Sequence, residues 1–269
     1  MSTLLPGALI LYGLGLVYEA FLILRRRRML AALALGVIAL GFVAHTAWLV
    51  GVSFRSGRFP FLTTQEVFAS LAWAIIVYYF LLHARRQTEV LRLFVFPLVL
   101  LFLMVAIVSS RTRPLPEQLE DLLRMPALPL HVAFMMFAYA AFFLAFVAAT
   151  MYLVQERELK RKRFGAVFQL LPSLSTCEAL SSRSLVVGFL LLTLGIGTGV
   201  ILIRRSDPIF WRGDPIIILA ILTWVVYLIV IHYRLMAGWR GRKAAILLIL
   251  GFAVTAVTFL WARLFGHII

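Results

Sequence analysis

Apolar residues run along this chain in eight long blocks, each closed by arginines, prolines or a short polar turn. A helix rises about 1.5 Å per residue, so some 20 apolar residues cross a hydrocarbon core about 30 Å thick. By that measure the blocks predict membrane-crossing helices near residues 4–24, 29–54, 66–84, 91–110, 129–155, 184–203, 215–235 and 244–266. No segment between blocks is long enough to bury a core of its own. Residues 1–269 are therefore expected to form a single integral membrane domain, an all-α polytopic bundle. One stretch fits neither class: residues 164–183 are semi-apolar and broken by Pro172, which predicts a segment lying in the membrane interface.

Composition agrees with the lipid bilayer as solvent, since 63% of the residues are hydrophobic and the mean hydropathy is +1.02. A net charge of +15 would suggest nucleic acid as a partner of a soluble protein. Here the basic residues sit in short clusters between apolar blocks, which makes them a topology signal and leaves no nucleic-acid surface. Arg25 to Arg28, Arg85 with Arg86 and Arg92, the run from Arg157 through Arg183, and Arg234 through Lys243 all fall on one side of the predicted bundle, with all three lysines among them. That side is expected to be cytoplasmic, which puts both termini outside, in the periplasm. The first block is not read as a signal peptide, because its basic cluster follows it. The single cysteine, Cys177, excludes an internal disulfide, a Cys-x-x-Cys redox pair and covalent haem attachment through Cys-x-x-Cys-His.

Ionisable groups are scarce within the blocks, so each histidine there is a candidate for function. His45 shares a helical face with Gly41 and Trp48, and a neutral imidazole hydrogen-bonded across a helix interface is its structural alternative. His131, Met135 and Tyr139 recur every four residues as one stripe, a pattern that also suits helix packing. His232 lies toward the inner end of its block beside Arg234, where it could snorkel to the interface; His83 is read as interfacial, and His267 lies near the outer C-terminus. Topology gathers His131, His267 and the loop Asp207–Pro215, with Trp211, at the outer face. Two imidazoles flanking an aromatic, arginine-bearing loop could grip a flat, anionic, iron-bearing ligand from both axial sides, and His45 with His232 form a second pair deeper in the membrane. Gly188, Gly195 and Gly199 share a face and read as close helix packing. No paired serine nucleophile, zinc signature or phosphate loop is present, so no catalytic residue is assigned.

These residues also resemble a known family. Residues 131–163, 170–200 and 214–252, with "HVAFMMFAYAAFFLAF", "GFLLLTLGIGTGV" and "GWRGR" in that order, look like the cytochrome c assembly membrane proteins, CcsA-like, and their shorter HemX-like or YpjD-like branch. The resemblance implies non-covalent haem b held by His45 and His232 in the membrane and by His131 and His267 at the outer face, as axial ligands of the iron. Glu66, in "SGRFPFLTTQEVF", stands where the family has the acid of a Tyr-Glu pair, and Gln65 replaces the aromatic. The family's tryptophan-rich loop has three tryptophans, an Asp and a further acid. Here Trp211 and Asp214 remain and an isoleucine takes the acid's place, a departure that bears on delivery to a cytochrome more than on haem binding.

The expectation is a multi-pass protein of the bacterial inner membrane that binds haem and takes part in cytochrome c biogenesis or haem export. Trp48 and Trp211 would cover the porphyrin and arginines meet its propionates. The implied partners are a second membrane protein of cytochrome c biogenesis and apocytochrome c, with the chain a haem-delivery subunit of a synthase and no enzyme by itself. Two alternatives stay open: a membrane regulator or scaffold for haem-synthesis or metal-homeostasis proteins, and a small-solute permease, which the lack of broken helices with intramembrane carboxylates disfavours.

Overall fold

The structure is a computed structural model and describes residues 3–24, 31–83, 90–109, 123, 125–162, 165–205 and 215–264. The helices are α1 (Leu4–Leu24), α2 (Ala31–Ser56), α3 (Thr64–His83), α4 (Leu91–Val108), α5 (Ala127–Lys160), the short α6 (Ala166–Leu170), α7 (Leu174–Arg205), α8 (Pro215–Leu235) and α9 (Arg242–Leu264). No strand occurs among the described residues. All except α6 are long and apolar enough to cross a membrane, eight in number as the hydropathy pattern predicts. In lipid this is the expected solution, because a helix satisfies its own backbone hydrogen bonds. The chain is a multi-pass, all-helical membrane protein that divides into two compact units, Met1–Arg113 and Pro114–Ile269.

In the first unit α1 packs along α2 and reaches α4, while α3 closes on α4. The close approach of α1 and α2 depends on Gly41, where a Cβ would lie 3.0 Å from the Tyr12 ring. Tyr12 in turn meets Phe96 of α4 edge to face at 5.6 Å, and Tyr79 of α3 meets the same Phe96 at 6.1 Å. This aromatic centre is fully enclosed. Gly57, with φ +65°, stops α2 in the left-handed conformation that glycine adopts without a Cβ penalty, and turns the chain toward α3.

In the second unit α5 and α7 run antiparallel in a close register set by glycines. Cβ atoms at Gly188, Gly195 and Gly199 would lie 2.7 Å from the Phe142 ring, 2.7 Å from Met135 Sδ and 3.1 Å from His131 Cε1. The glycine face predicted from sequence is thus the groove into which the His131 stripe packs. Beyond it, Phe142 stacks on Tyr227 of α8 at 3.5 Å, in a core with Ala138, Ala145, Leu185, Leu192 and Leu248. Helices α8 and α9 are tied by hydroxyls, Thr223 Oγ1 to Thr258 Oγ1 at 2.9 Å and Thr255 Oγ1 to Tyr227 Oη at 3.0 Å. The end of this unit opposite His131 carries Arg157, Lys160, Arg161 and Lys162 at the close of α5, with Arg242 and Lys243 at the start of α9; Tyr152 meets Gly241 there.

The segment 164–183 departs from its expected course. Only α6 is a separate short helix, and from Leu174 the chain already belongs to α7. The reason is a buried cation: Arg234 Nε donates to Ser182 Oγ at 3.0 Å and Nη2 to the Glu178 carbonyl at 2.9 Å, docking the first turns of α7 on α8. Helix α5 likewise runs past its apolar block, as Lys160 pairs with Glu156 one turn before it at 2.8 Å. Hydropathy marks where lipid ends; these helices continue beyond it.

Candidate functional site

The most developed site lies where α5 begins and α7 ends. Met125 and Pro126 lead into α5, the Leu128 N–H bonding back to the Met125 carbonyl, and His131 follows in the first turns, half-buried. Its Nδ1 lies 2.8 Å from the Gly195 carbonyl oxygen, and Thr198 Oγ1 is 3.5 Å from the same nitrogen. A carbonyl only accepts, so Nδ1 is the protonated nitrogen and donates. Nε2 is then the nitrogen with the free lone pair, and among the described residues nothing bonds to it. The Thr198 hydroxyl donates to the Leu194 and Gly195 carbonyls, at 2.9 and 2.8 Å, which fixes the backbone that orients the ring. An imidazole held through one nitrogen with the other presented is the arrangement of a metal-ligating histidine.

His45 is the other enclosed histidine. It is 0% exposed, in the middle of α2, with the Tyr12 ring edge-on at 6.2 Å. The Ala69 backbone of α3 faces the ring, but neither ring nitrogen completes a hydrogen bond of good geometry. Trp48, predicted on the same face, is buried as well, and beside them Trp73 Nε1 donates to Thr46 Oγ1 at 2.9 Å.

Glu66 has a dense set of partners. Its carboxylate accepts from Arg58 Nη1 at 2.8 Å and Nη2 at 3.1 Å, and from the Leu62 and Thr63 N–H groups at 2.9 and 3.4 Å. Thr63 Oγ1 accepts from the Glu66 N–H at 3.1 Å in return, so Thr63 and Glu66 form the capping box that opens α3. Ser70 Oγ reaches back to the Pro60 carbonyl at 2.7 Å and holds the loop against the helix. His232 is exposed on α8 and, among the described residues, its ring meets that of its neighbour Tyr233 alone, at 6.0 Å. His45, Trp48 and Glu66 belong to the first unit, His131 and His232 to the second. Trp211, Asp214 and His267 lie outside the described residues.

A family model described as cytochrome c assembly protein matches residues 61–269. The chain belongs to the cytochrome c assembly family. It is 29% identical over 289 aligned positions to the cytochrome c biogenesis protein CcsA of Parasynechococcus marenigrum (strain WH8102), covering 94% of this chain and 93% of that one. It is 28% identical to the CcsA of Guillardia theta, over 96% of this chain and 89% of the relative. Against the CcsA of Synechococcus sp. (strain CC9605) the identity is 29%, over 86% and 83%. The cytochrome c assembly match includes Glu66, His131, His232 and His267, whereas His45 and Trp48 precede it.

Two features, one in each unit, escape a reading of the sequence. One is the pairing of His131 with the Gly195 carbonyl, which leaves no side-chain signature beyond the glycines that permit it. The other is the buried pair Glu19 and Arg92, joined at 2.7 Å between α1 and α4. Arg92 reads from sequence as one more inner-side charge; the structure turns it inward, 3% exposed.

Proposed function

We propose that this protein binds haem b non-covalently and serves cytochrome c biogenesis as a haem-handling membrane subunit, with no catalytic residue of its own. The observation that carries the reading is the fixed tautomer of His131, whose Nδ1 donates to the Gly195 carbonyl and leaves Nε2 as a neutral nitrogen ligand. Donor type fits the group as well: imidazoles suit haem iron, and an enclosed neutral imidazole is costly to bury without such a use.

His267 is the proposed partner of His131. Support comes from the antiparallel register of α5 and α9, in which Tyr139 meets Phe259 and Phe146 meets Phe252. His131 stands eight residues before Tyr139, and His267 eight residues after Phe259. The same register brings the sequence on either side of Trp211 and Asp214 to this end of the unit, since α7 finishes and α8 begins there. Those two residues would line the outer side of the site and His45, with Trp48, would serve a second haem position in the first unit. His232, on α8 of the second unit, is proposed as a further haem ligand.

When bound, haem supplies the iron that the imidazoles ligate and the vinyl-bearing porphyrin that a cytochrome receives. The chain's own part is to orient the imidazoles, exclude water and hold the propionates through arginine. The partners proposed are a second membrane protein of the pathway and apocytochrome c, and the location is the bacterial inner membrane with both termini outside. The gathering of Lys160, Lys162, Arg242 and Lys243 opposite His131 supports that orientation. Purified protein from haem-replete cells should show a Soret band that weakens in His131→Ala and His267→Ala. A protein that stays colourless and takes up no added haem would overturn the proposal.

A further inference from the structure

Among the described residues the first unit contains two arginine–glutamate pairs, and they are built differently. Arg58 meets Glu66 with two nitrogens, and the carboxylate is further held by backbone N–H groups. Arg92 meets Glu19 through one nitrogen, Nη2 to Oε1 at 2.7 Å, although both side chains are more than nine-tenths enclosed, at 4% and 6% exposure. Its Nε and Nη1 have no hydrogen-bond partner among the described residues. Taking a guanidinium out of water costs several kcal/mol, and a pair that only tied α1 to α4 would be expected to use the planar fork in full.

The orphaned nitrogens do not stand alone. Arg92 lies one helical turn before Phe96, Phe96 meets Tyr12 at 5.6 Å, and Tyr12 meets His45 at 6.2 Å. The Tyr12 hydroxyl and both His45 ring nitrogens are also without a bond of good geometry. Glu19 follows Tyr12 by seven residues, two turns along the same face of α1. One interior seam therefore has a nitrogen ligand at one end, aromatic faces between, and a partly engaged cation at the other.

We infer that Arg92 is the carboxylate-receiving residue of the ligand site that contains His45, and that Glu19 is its positioning residue. This rests on the haem reading of His45 and adds what that reading leaves open, namely which group in this unit recognises a porphyrin carboxylate. Glu19 holds the guanidinium in place and balances its charge when no carboxylate is present, while Nε and Nη1 remain for the ligand's acid group. Nε and Nη1 point from different edges of the guanidinium, so each offers the acid group a single hydrogen bond, and arginine keeps its charge when desolvated.

The test titrates full-length protein in nanodiscs, in a His131→Ala background, with haem and separately with haem dimethyl ester, whose carboxylates are blocked, following the Soret band. The parent should bind haem at least about tenfold more tightly than the ester. Arg92→Gln should bring that ratio close to one while ester binding stays as in the parent. Glu19→Gln, which retains a hydrogen bond to Arg92 and removes the competing negative charge, should keep or raise the ratio. A merely structural pair would make both variants weaken haem and ester alike, and that result overturns the inference, as does an unchanged ratio in Arg92→Gln. If Arg92→Gln fails to fold, the double variant Glu19→Gln with Arg92→Gln removes both charges and should give the same ratio near one; retained discrimination there overturns the inference equally. The underlying reading fails separately, when His45→Ala leaves the titrations with both ligands unaltered.

Discussion

The His131 ring occupies the space that Gly199 leaves open: a Cβ on Gly199 would lie 3.1 Å from Cε1 and 3.3 Å from Nδ1. The histidine's tautomer and its position thus depend on one glycine and on the carbonyl of another, Gly195, at 2.8 Å. Gly199→Val is expected to push the ring off this carbonyl and weaken haem binding by about tenfold or more, a loss of about 1.4 kcal/mol. Gly197→Ala, two residues away with nothing within 4 Å of the added carbon, should leave binding unchanged. Soret titrations of the two variants check this, and equal behaviour would separate His131 from the haem site.

Gly188 works in the same groove without touching a candidate ligand. Phe142 is wedged between it and Tyr227, which it stacks upon at 3.5 Å and 5°. With Tyr227 buried behind it the ring has nowhere to move, so Gly188→Ala should destabilise the second unit by about 1–3 kcal/mol through overpacking. Thermal unfolding in detergent would register the lower Tm. Gly13→Ala on α1, where nothing lies within 4 Å of the added carbon, is the comparison expected to hold or slightly raise it.

Glu66 invites a decision between ligand-binding and structural roles. Its oxygens accept from Arg58 and from two backbone N–H groups, and its own N–H bonds to Thr63. Loss of the cap in Thr63→Ala should cost about 0.5–2 kcal/mol. Glu66→Ala should cost more, since it also leaves Arg58 with the Phe59 carbonyl alone and the Leu62 N–H without its acceptor. Unfolding midpoints should therefore fall in the order parent, Thr63→Ala, Glu66→Ala. Should Glu66→Ala lose haem at an unchanged Tm, the acid contacts the ligand directly.

Much of this fold was written in the hydropathy, and the exceptions have a common cause. Helix α8 begins and ends at the residues that the pattern indicates, 215 and 235, because Pro215 opens it and Gly238, with φ +64°, turns the chain soon after its end. The glycine face of α7 and the His131 stripe were likewise legible, since both repeat at helical spacing and each needs the other. The first turns of α7 were not, because what docks them is Arg234, a residue more than fifty positions away. Arg92 was hidden for the same reason: a single positive charge near a helix end looks like a topology signal until its partner on another helix, Glu19, is found. Local pattern reports periodicity and lipid exposure, whereas a buried ion pair or a histidine's carbonyl is a property of two distant segments.

Orientation in the membrane decides which compartment the His131 end faces. If the basic residues lie inside, Thr3 and the loop carrying Phe59 are outside, while Lys162 is cytoplasmic. All three side chains are exposed, and the native thiol of Cys177 is buried and removable as Cys177→Ser, so single cysteines report cleanly. In that background, Thr3→Cys and Phe59→Cys should react with a membrane-impermeant maleimide added from the periplasmic side, and Lys162→Cys only after the membrane is opened. The opposite pattern would turn His131 toward the cytoplasm. Haem held there would be taken from its place of synthesis instead of being offered to a cytochrome outside, so this experiment fixes the direction of the proposed function without measuring any haem.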